Sequence, residues 1–140
     1  MNKTDATKVL YYNCAPKDGT AGFNVFLVEA IGTAIFISVI MSVVYFNGAS
    51  GPLNALAIGG TLYGMAKTIG GISGGCLNPA VGLAQTIVQK MAYRNKPEGG
   101  RLLDDHTMLL YIIGPFAGGT IAGLYAILNR MAQPPADKVK

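Results

Sequence analysis

Polar positions break this chain into long apolar stretches. The first runs from about Gly22 to Phe46, the second from about Leu53 to Ile69, and the third from about Thr107 to Asn129. A helix needs roughly 17–25 predominantly apolar residues to cross a bilayer, so each stretch predicts a transmembrane helix. Small residues recur at every fourth position in all three. They are Ala30, Ala34, Ser38 and Ser42 in the first, Gly60, Gly64 and Thr68 in the second, and Gly114, Gly118, Ala122 and Ala126 in the third. Such stripes let helices approach closely. Pro115 is expected to bend the third helix near its start.

Between the second and third stretches lies Gly70-Gly71-Ile72-Ser73-Gly74-Gly75-Cys76-Leu77-Asn78-Pro79-Ala80-Val81. It reads as a glycine-rich loop that turns into a helix, with Asn78 as the cap and Pro79 at the first helical position. That helix extends to about residue 92. It rises only about 22 Å, at ~1.5 Å per residue, which is too short to cross. Irregular backbone at membrane depth survives only inside protein or beside a water-filled cavity. The sequence therefore predicts a re-entrant half-helix whose N-terminus, with its free N–H groups and positive dipole end, points into the membrane. The fold class is all-α: three transmembrane helices plus one half-helix, over residues 21–130. A polar N-terminal tail (1–20) and C-terminal tail (131–140) flank it.

Charge sharpens this picture. Charged residues make up 13% of the chain, against ~25% in ordinary globular proteins. They are also segregated, because only Lys67 and Glu29 fall inside apolar stretches. The net charge of +4 fits membrane-flanking residues. It does not fit a nucleic-acid footprint, since no basic face or aromatic interleaving accompanies it. Lys3, Lys8, Lys17, Lys90, Arg94, Lys96 and Arg101 share one side of the predicted topology. Arg130, Lys138 and Lys140 share the other. The positive-inside rule then places the N-terminus inside.

Glu29 is the informative charge. A carboxylate within a span is costly and needs partners. It is expected to point into the bundle and accept N–H groups from the 70–78 loop. Lys67 is read as snorkelling to the interface, and the lone His106 as lying at the start of the third span. Cys14 and Cys76 have no metal or redox spacing, and no disulfide framework is indicated. No metal, no cofactor and no enzymatic nucleophile–base pair is read.

With these elements placed, the chain resembles one half of an aquaporin-type channel of the major intrinsic protein family. Four blocks carry the resemblance. They are Glu29 with Thr33 on the first span, Leu56-Ala57-Ile58-Gly59, Ser73-Gly74-Gly75-Cys76-Leu77-Asn78-Pro79-Ala80, and Tyr111-Ile112-Ile113-Gly114-Pro115-Phe116-Ala117-Gly118. The second and fourth blocks are most similar to the family's C-terminal half. The resemblance implies two inverted repeats whose Asn-Pro-Ala ends meet mid-membrane, guiding water and repelling protons. It gives Glu29, Thr33, Ser73, Gly74 and Gly75 as loop support, and Asn78, Pro79, Ala80, Val81 and Ala66 as pore positions. Val81 stands where the second repeat usually carries Arg, and Ala66 where water-selective members carry His. A second repeat would begin outside, opposite to the charge bias; a lone repeat can adopt either orientation.

Three spans and one half-helix enclose only half a pore wall, so a partner is expected. One reading is an accessory, mainly structural subunit docked with other membrane subunits and lipid in a larger assembly, favoured by half length, Ala66 and Val81. The other is half of a split channel for water or small neutral solutes, completed by a second half, with a homodimer of halves as one form. The first is the narrow preference from sequence. The polar tails are expected to be held by other proteins, and the mitochondrial inner membrane is the expected location on that ground.

Overall fold

The computed structural model describes residues 14–46, 51–92 and 105–133. Helix α1 spans Gly22–Met41 and ends in a π-helical turn at Ser42–Phe46. Helix α2 spans Pro52–Ser73, α3 Pro79–Ala92 and α4 Asp105–Ala132. The described residues are entirely helix and connecting segments. The stretches 1–13, 47–50, 93–104 and 134–140 lie outside the described residues. The expectation that other proteins hold the tails falls largely on them.

Two helices among the described residues are long and apolar enough to cross a membrane: Gly22–Tyr45, with mean hydropathy 2.3, and Asp105–Ala132, with mean hydropathy 1.5. Helix α2 has 22 residues, which at ~1.5 Å each is about 33 Å. Its glycines, together with Asn54, Thr61, Lys67, Thr68 and Ser73, dilute its apolar character below the level of the other two. The distribution of polarity supports a bilayer as solvent. Phe23, Leu53, Leu56, Leu128 and Met131 are exposed, while Glu29, Thr33, Ser73 and Thr86 are buried. Polar groups inside and apolar groups outside invert the pattern of a water-soluble domain. The protein is an all-helical integral membrane protein.

The core is the crossing of α1 and α4, made by the small stripes foreseen on each. A Cβ added to Gly118 would sit 2.2 Å from the Ala30 carbonyl oxygen and 2.9 Å from the Ala34 nitrogen. One added to Gly114 would lie 3.1 Å from both the Glu29 Cβ and the Phe26 oxygen. Ala122 and Ala126 continue the buried seam. The matching stripe on α2 behaves differently. Cβ atoms at Gly60 and Gly64 would meet nothing within 4 Å, so the packing expected of these two glycines is not made among the described residues. The same spacing serves an internal seam on α4 and an open face on α2.

Two further boundaries depart from expectation. The glycine loop does not begin at Gly70: Gly70, Gly71, Ile72 and Ser73 are the last turn of α2. Glycine merely weakens a helix, whereas a left-handed residue ends it. The chain turns left-handed first at Gly74, with φ 90°, and its N–H bonds the Gly70 oxygen at 3.1 Å. The polar stretch 1–20 is not wholly a tail either. Cys14 is buried, and the Lys17 N–H donates to the Ile72 oxygen at 3.0 Å, so residues 14–20 cover the end of α2. Pro115 is accommodated within α4 and fully buried.

Candidate functional site

The site is built where α2 stops and α3 starts. Gly74 and Gly75 have φ of 90° and 71°, and Leu77 has φ of 54°. Glycine takes such angles freely, and a leucine does so at a cost of order 1–3 kcal/mol. Leu77 is held there by its surroundings: it is buried, and its side chain lies against Gly32, where a Cβ would meet Leu77 Cδ2 at 2.7 Å. Space also demands the loop glycines. A Cβ at Gly74 would lie 2.5 Å from the Ala15 nitrogen, and one at Gly75 would lie 2.9 Å from the Ala66 oxygen. Ala66 thus lies with its backbone against the loop.

Glu29 anchors this tight path. Its carboxylate is 0% exposed. Oε1 accepts from Ser73 Oγ at 2.6 Å and from the Cys76 N–H at 2.9 Å, and Oε2 accepts from the Leu77 N–H at 2.6 Å. Two consecutive loop amides and a hydroxyl therefore converge on one buried anion. Hydrogen bonds to a charged acceptor are about twice as strong as neutral ones. Ser73 Oγ also accepts from the Gly75 N–H at 3.2 Å, which links the end of α2 to the loop.

Beyond the loop, Asn78 caps α3. Its Oδ1 accepts from the Ala80 N–H at 2.9 Å, and its carbonyl accepts from the Gly82 N–H at 3.1 Å. Pro79 occupies the first helical position, where its missing N–H costs nothing. Oδ1 is committed to the cap, which leaves the Asn78 amide NH2 on an exposed residue. Ala80 and Val81 are exposed beside it. A cleft of about 430 Å³ opens here. Thr33, Ile37, Leu77, Asn78, Pro79 and Gly119 are among its walls. Thr33 is 3% exposed, and its Oγ1 has no hydrogen-bond partner among the described residues. Buried polar atoms are ordinarily paired, so this hydroxyl marks the cleft as incomplete.

Three residues given no role in the site from sequence support it. Tyr111 is fully buried and donates its hydroxyl to the Ser73 carbonyl, closing the end of α2 from the α4 side. Gly82 lets α3 rest on that tyrosine, since a Cβ there would lie 2.6 Å from Tyr111 Cβ. Gln85 accepts the Cys14 N–H at 2.6 Å. Only Gly82 carried a local signal, a glycine one turn into a short helix. His106 lies over Gly22 at the start of α4. The Lys67 ammonium sits 5.7 Å from the ring centre of Tyr63. Lys90 pairs with Asp105, tying the end of α3 to the start of α4. Among the described residues no cluster of three or more His, Cys, Asp or Glu could hold a metal ion.

Sequence comparison matches residues 2–126 to the family described as "Major intrinsic protein". A protein named probable aquaporin AqpM from Archaeoglobus fulgidus is 32% identical over 117 residues, covering 83% of this chain and 44% of that protein. Aquaporin AqpM from Methanothermobacter marburgensis is 30% identical over 110 residues, covering 79% of this chain and 42% of that protein. The chain spans less than half the length of the curated relatives it matches.

Proposed function

The chain belongs to the major intrinsic protein family, and from that premise we propose that it forms one half of a channel for water or small neutral solutes, completed by a second half. In this reading α1, α2 and α4 all cross the membrane, and α3 dips in from one side with its N-terminus near the centre. The observation that carries the proposal is the exposed, capped Asn78 beside a cleft whose buried Thr33 hydroxyl is unpaired. Opposite it, a second half-helix would close the wall and leave a path lined by amide donors. The open Gly60 and Gly64 face of α2 supplies the contact surface that a lone half would otherwise leave to lipid. The partner is a second copy or a separate chain carrying the other repeat.

Ala66 and Val81 favour a second reading, the accessory subunit that keeps the fold without conducting. A half with neither His nor Arg at these positions contributes little to a narrow polar filter, so a conducting pore would be wide or would take its filter from the partner. The preference moves to the channel because, among the described residues, the Asn78 side chain is held through Oδ1 and lies exposed beside the cleft. A purely structural remnant needs the cap oxygen but has no use for a free amide over an open cleft.

Osmotic shrinkage of vesicles carrying the purified assembly tests this. The expected result is shrinkage faster than protein-free vesicles. Gly119→Trp, at a position on the cleft wall where an added Cβ meets nothing within 4 Å among the described residues, would place an indole in the cleft and is expected to abolish the excess. Rates equal to those of empty vesicles, or an excess insensitive to Gly119→Trp, would overturn the channel reading.

A further inference from the structure

Two cysteines far apart in sequence meet beneath the signature loop. Cys14 and Cys76 are 9% and 6% exposed and belong to one buried cluster with Val25, Leu110 and Tyr111. The two side chains share that cluster, with Cys14 against Gly74 and Cys76 Sγ against Gly82. The backbone around them is already fixed. Cys14 Cα lies 2.8 Å from where a Gly74 Cβ would be, its N–H is held by Gln85 Oε1 at 2.6 Å, and the Lys17 N–H is held by the Ile72 oxygen at 3.0 Å. Cys76 Sγ donates to the Asn78 oxygen at 3.4 Å, an acceptor that also receives the Gly82 N–H. Losing the thiol proton would therefore leave no buried carbonyl unpaired.

We propose that Cys14 and Cys76 are a modification site: a dithiol that peroxide converts to a disulfide, stapling the segment before α1 onto the loop that carries Asn78. Hydrogen peroxide suits the site because it is small and uncharged, and the pair is nearly closed to solvent. The Cys14 sulfur attacks one peroxide oxygen, the O–O bond breaks, and water leaves, giving a sulfenic acid. The Cys76 sulfur then attacks the Cys14 sulfur, the S–O bond breaks, and a second water leaves. Two thiols give up two protons and two electrons, and the peroxide becomes two waters. The resolving thiol shares the same buried cluster, so the sulfenic acid has little time to oxidise further. The bond would close a loop from residue 14 to residue 76 and restrict the unfolded chain. None of this depends on whether the chain conducts.

The test uses the full chain in lipid vesicles, treated with hydrogen peroxide, then denatured, alkylated with N-ethylmaleimide and digested with trypsin. The expected product is Val9–Lys17 joined to Thr68–Lys90, released by reductant, together with a rise in unfolding temperature that reductant reverses. Cys14→Ser should lose both the joined peptides and the temperature rise, with a sulfenic acid or free thiol left at Cys76. Alkylated thiols at both positions after peroxide, separate over-oxidation of the two, or a disulfide only between different molecules would overturn the proposal. The same temperature rise in Cys14→Ser would overturn it too.

Discussion

Replacing Glu29 by Gln keeps the side chain's size and takes away one acceptor. The native carboxylate receives three donors: Ser73 Oγ and the Cys76 N–H on one oxygen, and the Leu77 N–H on the other. If the Gln oxygen keeps the first two, its NH2 group confronts the Leu77 N–H, donor against donor. A hydrogen bond to a charged group contributes ~1.5–3 kcal/mol, and an unpaired buried donor costs about as much as the bond it lost. Glu29→Gln is therefore expected to cost about 3 kcal/mol. In Glu29→Ala the Cys76 and Leu77 N–H groups lose their acceptor and Ser73 Oγ is left with the Ile69 oxygen at 3.4 Å, and the two amide losses alone approach ~3–6 kcal/mol before non-additivity. That reaches the low end of the whole stability of a typical domain, ~5–15 kcal/mol, so Glu29→Ala is expected not to accumulate as folded protein. Thermal unfolding in detergent, followed by intrinsic tyrosine fluorescence, reads the Gln variant. A chain of this size shifts by roughly 3–5 °C per kcal/mol, so a fall of about 10 °C is expected. Faster proteolysis in the 74–78 loop should accompany it. An unchanged midpoint for Glu29→Gln, or folded Glu29→Ala at wild-type yield, would refute the view that this carboxylate organises the loop.

Three further predictions concern packing. Gly118→Ala is expected to destabilise by about 1–3 kcal/mol or more through overpacking against the Ala30 carbonyl, whereas Gly123→Ala, which meets nothing within 4 Å, should be neutral or gain up to about 1 kcal/mol of helix propensity; paired melting curves separate the two. Gly60→Leu and Gly64→Leu should leave the melting curve of the isolated chain unchanged or slightly raised and weaken association with the second half, read by size-exclusion light scattering in detergent. Tyr111→Phe removes the hydroxyl that serves the Ser73 carbonyl and should cost about 1 kcal/mol, visible as a melting shift of a few degrees.

The short helix α3 and its cap were legible because their signals are local. Asn78 and Pro79 are a capping residue and an N-terminal proline in succession, and the apolar run beyond them is too short to span. Glu29 was legible because a carboxylate in an apolar helix demands donors, and the glycine loop further down the chain has N–H groups to supply. The end of α2 was not legible. Gly70 and Gly71 look like loop residues, but what ends the helix is the left-handed turn at Gly74, and that conformation is imposed by Cys14, Ala15 and Glu29 from distant parts of the chain. The glycine stripes show the same limit. Gly114 and Gly118 face α1, while Gly60 and Gly64 face open space, and periodicity reports a smooth face without saying what lies against it. Tyr111 and Gln85 serve through tertiary crossings that leave no spacing to read.

The account stands or falls on what faces Asn78. An experimental structure of the assembly in lipid, resolved well enough to place side chains around that residue, measures this directly. The account predicts a second half-helix N-terminus across an open path from Asn78, with a polar group or water on Thr33 Oγ1. Acyl chains, unrelated helices or close-packed side chains filling the cleft would contradict it.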